Sequence, residues 1–138
     1  MSAYTSLETE FNDQDCLIAA LADNEDRKYT DIVVHEKAVP LVGYHGDTRS
    51  QVANIIIRRN TIGSASNDIG FVKGEDGKFK AIISDYDSNR HGNKWMTAVK
   101  QSYTEKRAVK EMKRQGLVFK SRNVVNGKIV LKYLKQGV

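Results

Sequence analysis

Apolar residues alternate in short runs along the first two thirds of the chain, then recur at three- and four-residue spacing over one long stretch. Alternation sorts side chains onto the two faces of a strand, and the longer period lines one face of a helix. Tyr4–Phe11 reads as a first strand, with Leu7 and Phe11 on one face. Asn12 or Asp13 supplies an N-cap for a helix from about Asp13 to Ala22, with Cys16, Leu17, Ala20 and Leu21 as its apolar stripe. After a polar loop at Asn24–Lys28, Asp31–His35 is a short β-branched strand. Val39–Tyr44 is a further one, which Pro40 restricts to an edge or a connection. Val52–Arg59 is a strong strand, and Asn60–Asn67 a polar loop. Asp68–Val72 and Phe79–Ile83 flank a glycine-marked turn containing Asp76-Gly77, a hairpin signal. The polar stretch Asp85–Asn93 leads into the longest helix, Trp95 to about Arg114, which Gln115-Gly116 stops. Leu117–Val125 and Lys128–Leu134 then meet at Asn126-Gly127, the signature of a tight hairpin.

The order β-α, several β, a long α, then ββ predicts an α+β fold: a mainly antiparallel sheet with two helices packed on one face. A length of 138 residues with a single proline predicts one domain over residues 1–138. Cys16 lies in an apolar run and is expected to be a small buried hydrophobe, compatible with a reducing cytoplasm. No apolar stretch approaches the roughly 20 residues of a membrane span. The start, Met1 to Phe11, lacks the basic head and apolar core of a signal peptide. A cytoplasmic protein with no membrane partner is the expectation.

Charge changes this picture. From Lys94 onward twelve basic residues stand against Glu105 and Glu111, a net +10, whereas residues 1–93 carry −5. The basic groups decorate the long helix (Lys94, Lys100, Lys106, Arg107, Lys110, Lys113 and Arg114) and the hairpin after it (Lys120, Arg122, Lys128, Lys132 and Lys135). Such a segment is expected to dock on an acidic protein, and this chain's own acidic part is one such surface. The alternative partner is nucleic acid, whose phosphates demand the same charge. Trp95, Tyr103, Phe119 and Tyr133 lie nearby, but their spacing assigns them to a core rather than to base stacking.

Other chemistry is sparse. The turn Gly43-Tyr44-His45-Gly46-Asp47-Thr48 offers backbone N–H groups to an anionic ligand, although paired glycines also serve a plain strand connection. No phosphate-loop or dinucleotide-binding string accompanies it. Asp85 and Asp87, two apart at a strand end, would share one face and could bind a cation or act as acid and base; the ordinary reading is turn chemistry. An enzyme built on this turn with Asp85 and Asp87 is a third functional reading. His35, His45 and His91 are scattered, and with Cys16 they form no zinc-ligand spacing. No nucleophile elbow is present. Neither a metal nor a cofactor is expected, and the balance favours a non-catalytic protein.

Three segments, Gly43–Thr48, Asn54–Ile57 and Asp68-Ile69-Gly70-Phe71, together resemble the hypothetical chloroplast reading frame thirty-five family of plastids and cyanobacteria, which has bacterial and phage relatives. That family shows a Gly-Tyr-x-Gly-x-Thr turn, an Asp-Ile-Gly-Phe strand and a strand ending in Asp, matched by Asp85. Its Gln-x-Tyr helix, ending before a Gly, is matched by Gln101, Tyr103 and Gly116. Tyr4-Thr5 and the Leu17/Ala20-Leu21 helix fit as well. Ala3 and Val42 stand where the family often carries His and Arg, and the Asn60–Asn67 loop is longer. The family is functionally uncharacterised, so the resemblance implies no chemistry. Its relatives are often encoded beside an AAA+-type ATPase, which implies an accessory role in an assembly, in a host cytoplasm where the chain is phage-encoded.

Overall fold

The structure, a computed structural model, describes residues 2–135; the expected domain's residues 1 and 136–138 lie outside them. Five antiparallel strands form the main sheet: β1 (Tyr4–Glu8), β2 (Ile32–Val42), β3 (Thr48–Ile57), β4 (Ile69–Lys73) and β5 (Phe79–Ser84), in the order β1-β5-β4-β3-β2. Two helices, α1 (Gln14–Ala22) and α3 (Asn93–Arg114), flank a short α2 (Arg59–Ile62) in the sequence. The chain closes with a separate two-stranded ribbon, β6 (Leu117–Val125) and β7 (Lys128–Lys135). This is the expected α+β fold, with the last hairpin standing apart from the main sheet.

Alternation decides the core. Ile55, Ile57, Ile69, Phe71, Phe79, Ala81 and Ile83 face the helices and pack with Leu17, Leu21, Trp95, Val99 and Tyr103. Phe11 joins them from beyond β1, its ring 4.7 Å from that of Tyr103 and 6.5 Å from that of Phe71. The expected first strand therefore stops short of Phe11, and Leu7, opposite Ala81 on the same helix-facing side, is nonetheless exposed. Asp13 caps α1, accepting from the Cys16 amide at 3.0 Å. Tyr103 Oη accepts from the Asn12 and Asp13 amides, and Ser102 Oγ donates to Asp23 O at 2.6 Å, so α3 grips α1 at both ends.

The opposite face holds a smaller cluster of Leu41, Ala53, Ile56 and Ile82, with Tyr4, Val39 and Val72 against it. The two short strands expected at Asp31–His35 and Val39–Tyr44 are one long edge strand, β2, in which a bulge between Val34 and Val39 shifts the pairing with β3. Pro40 sits in this edge strand, where a missing N–H is tolerated. Asn54 steadies the irregularity: its Nδ2 donates to His35 O and Glu36 O, and its Oδ1 accepts from the Lys73 amide. Gly70 of β4 lies beneath Ala53 of β3 and Leu41 of β2. A Cβ there would sit 2.5 Å from Ala53 Cβ and 2.9 Å from Leu41 Cδ2, so only glycine fits without displacement.

The stretch after β5 reads in the sequence as a polar lead into the long helix. It instead contains a 3-10 turn, Asp87–Asn89, and buries Asp87 and His91. His91 Nδ1 faces Asp87 O at 3.2 Å and must donate to it, and in the neutral ring that burial favours Nε2 accepts from Tyr29 Oη. Trp95 meets the ring edge-on at 4.8 Å. Burial, together with the charge of Arg27, pushes the His91 pKa below its usual 6.5, against opposing contributions from Asp87 and Asp26. A lowered pKa means that the unfolded chain takes up the proton first as pH falls. The stability this histidine confers is thus present above about pH 6.5 and is lost as pH falls toward the folded value. Melting temperature should fall between about pH 7.5 and pH 5.5, and fall less in a His91→Gln variant. Equal pH slopes in the two proteins would contradict the assignment.

Candidate functional site

Two regions gather the sequence-predicted site residues. The first is an arm. Beyond Tyr103, α3 contributes no buried residue, and its last three turns run past the edge of the core. Gly116, with φ +75°, reverses the chain so that β6 packs back against α3. Asn126 and Gly127, both with positive φ, close the β6–β7 turn as the Asn-Gly pair predicts.

Cross-strand partners share a face, so register sorts the ribbon. Phe119 opposite Tyr133, Arg122 opposite Leu131 and Val124 opposite Ile129 point inward toward the helices; Val118 opposite Leu134, Ser121 opposite Lys132, Asn123 opposite Val130 and Val125 opposite Lys128 point outward. Much of this apolar surface is open: Phe119 is 51% exposed, Val124 59% and Leu134 57%. Phe119 and Tyr133 meet edge to face at 5.7 Å. Of the aromatics assigned to a core, Trp95 and Tyr103 are buried, but Phe119 is exposed and Tyr133 only half-buried. Both rings lie on the inward face, but α3 contributes no buried residue beyond Tyr103 to close over them, so core-like spacing leaves Phe119 half open.

The cations of the +10 segment divide. Arg107 and Lys110 both bind Asp13, at 3.1 and 2.6 Å. Burial would raise the Asp13 pKa, but hydrogen bonds from Lys110 and the Cys16 amide outweigh it and bring the carboxyl down to about 2. Arg122 pairs with Glu105 at 2.7 Å and reaches Glu25 at 3.9 Å, Arg114 pairs with Glu111, and Lys94 lies 3.7 Å from Asp26. Part of the basic segment is therefore spent on this chain's own acids. Lys100, Lys106, Lys113, Lys120, Lys128, Lys132 and Lys135 make no ion pair among the described residues. Lys100 stands apart from the arm, beside Glu8–Phe11. Between the ribbon, α3 and the end of α1 lies a cleft of about 500 Å³ lined by Asp23, Glu25, Glu105, Lys106, Arg122 and Ile129, among others.

The second region is the Gly43–Thr48 turn. The amides of Gly43, Tyr44 and Gly46 already donate to Asp47 O, Asn67 Oδ1 and Gly43 O, so they are not free to cradle an anion. Side chains line the cavity instead, one of about 430 Å³ bordered by Tyr44, His45, Asp47, Arg49, Asn67 and Tyr86. Arg49 donates to Ser2 O and lies over the Tyr4 ring. Behind this wall is a buried polar network. Asp87 accepts from the Asn67 amide and Ser84 Oγ, while Asn67 Nδ2 donates to Ser84 Oγ. Asp68, 1% exposed, accepts from the amides of Val42 and Arg59 and from Arg58.

Asp85 and Asp87 do not share a face. Asp85 is exposed and accepts from Thr5 Oγ1, while the 3-10 turn swings Asp87 into the interior. Sequence spacing missed this because it assumed that the strand continued. It also missed Asn67, Asp68 and Ser84, whose roles come from contacts across the fold. The Asp87 carboxylate is held by a backbone amide and a hydroxyl, and that of Asp68 by two backbone amides and Arg58, so both brace the segments around the turn.

No helix among the described residues is long and apolar enough to cross a membrane. Residues 28–131 match a family described as a protein of unknown function, DUF1257. No curated protein and no solved structure matches the chain. The matched span runs from just before β2 into β7, so it takes in both the turn and most of the arm.

Proposed function

Because the chain belongs to the DUF1257 family, whose function is unknown, its role is read from its own surface, and we propose that it is a non-catalytic binding or adaptor protein that docks through the arm onto an acidic partner. The observation that carries this reading is the ribbon β6–β7, which presents open apolar residues among unpaired lysines. Two-stranded hairpins are marginally stable in water, and exposed apolar surface of this kind marks an interaction site. The docking set is narrower than the charge tally implied. Lys106, Lys113, Lys120, Lys128 and Lys132 remain available, whereas Arg107, Lys110, Arg114 and Arg122 are engaged within the chain. The resemblance to the chloroplast reading frame thirty-five family supports a place as an accessory subunit of an AAA+-type assembly in the cytoplasm.

Reversing Lys113, Lys120, Lys128 and Lys132 to Glu should abolish capture of partners from nuclease-treated lysate while leaving the circular dichroism spectrum unchanged. Capture that survives the reversal at physiological salt would overturn the reading.

Nucleic acid is a second reading, favoured by one observation: Phe119 is an exposed ring beside Lys120, the combination that single strands use for stacking and phosphate contact. It predicts steeply salt-dependent anisotropy with a labelled oligonucleotide, and no binding at low salt removes it.

A further inference from the structure

The two edges of the ribbon are unpaired among the described residues, and β6 is the strand that packs on α3. β7 therefore presents the more open edge, a row of main-chain donors and acceptors ready to receive another strand. Its side chains alternate cleanly. Ile129, Leu131 and Tyr133 point inward, and Lys128, Val130, Lys132 and Leu134 point outward. The inward side faces a cleft in which Asp23, Glu25 and Glu105 are matched by Lys28, Lys106 and Arg122. That side offers apolar contact and no net positive charge, whereas acidic side chains on the outward side would meet Lys128 and Lys132.

Resting on the docking reading above, we propose that β7 captures its partner by strand addition. The partner supplies an extended segment with apolar residues at alternate positions facing inward beside Ile129, Leu131 and Tyr133. Its acidic residues alternate with these and face outward beside Lys128 and Lys132. Cross-strand neighbours on one face are the unit of sheet stabilisation, so this alternation is what the edge selects. A second copy of this chain is disfavoured as the occupant, because pairing β7 with itself brings together two sets of Lys128, Lys132 and Lys135. Added as a third strand, the segment also covers Tyr133, whose buried hydroxyl has no hydrogen-bond partner.

The test uses the whole protein and two octapeptides of identical composition, one alternating valine and glutamate, the other with the valines and glutamates in separate blocks. The alternating peptide should bind about tenfold or more tightly than the block peptide by fluorescence anisotropy. It should also slow hydrogen exchange at alternate amides of β7. A Lys128→Glu/Lys132→Glu variant should lose this peptide and gain one alternating valine and lysine. Equal binding of the two valine–glutamate peptides, with no new amide protection, would overturn strand addition while leaving charge-driven docking standing. Binding of neither overturns strand addition, and docking itself is then judged by the lysine reversals in lysate capture.

Discussion

Asp68→Ala should destabilise the fold by about 3–5 kcal/mol, the sum for two backbone amides that lose a charged, buried acceptor. Urea unfolding followed by tryptophan fluorescence would measure it. The carboxylate holds the Val42 amide at 2.9 Å with one oxygen and the Arg59 amide at 2.8 Å with the other, and Arg58 approaches to 3.4 Å. Alanine leaves both amides without a side-chain acceptor and the guanidinium without its counter-charge. Asp68→Asn keeps one acceptor oxygen and should lose less, about 1–3 kcal/mol. The bonds from Asp68 N to Val42 O and from Tyr4 Oη to Asp68 O would persist, so the damage should concentrate at the end of β2 and the start of α2, where Val42 and Arg59 lose their acceptor. A loss under about 1 kcal/mol would show that the network does not hold the Gly43–Thr48 turn.

Trp95→Ala should cost a similar amount, about 3–5 kcal/mol, by a different mechanism. Trp95 is wholly buried, with its ring 6.4 Å from Phe71 and in edge contact with His91, and its removal opens a cavity where α3 meets the sheet. Its indole Nε1 is buried without a hydrogen-bond partner. Trp95→Phe deletes that unsatisfied donor while keeping most of the ring, so it should recover much of the loss. Far-ultraviolet circular dichroism melts of the two variants separate packing from polar satisfaction. If the phenylalanine variant is as unstable as alanine, the lost indole volume, and not the unsatisfied nitrogen, sets the cost.

The parts of the fold that were legible in the sequence are those set by local chemistry. The Asp76-Gly77 and Asn126-Gly127 turns, the Asp13 cap and the Gly116 stop each rest on one or two residues whose conformational preferences are strong. The β-branched run in Val52–Arg59 marks a strong strand, and β3 covers Val52–Ile57 of it, with Ile55, Ile56 and Ile57 all buried. What escaped depends on distant partners. Leu7 obeys strand alternation yet has nothing to pack against, and Pro40 is absorbed because β2 happens to lie at an edge. Asp87 and His91 read as polar loop residues and are instead buried by Asn67, Ser84 and Tyr29. The same limit applies to the candidate site. Counting lysines and arginines located the arm, but only geometry separates those held by Asp13 and Glu105 from those left open.

Strand order has a consequence for how the chain is made. β2, β3, β4 and β5 form a meander whose neighbours are close in sequence, and these can pair as they emerge. β1 is synthesised first yet pairs only with β5, Tyr4 opposite Ser84. Closing so long a loop is slow relative to the local hairpins, so β1 should remain single until the meander is complete. A ribosome stalled before Phe79 would carry a chain with its first strand unpaired and the helix-facing core open, the state in which a nascent chain is most exposed to aggregation.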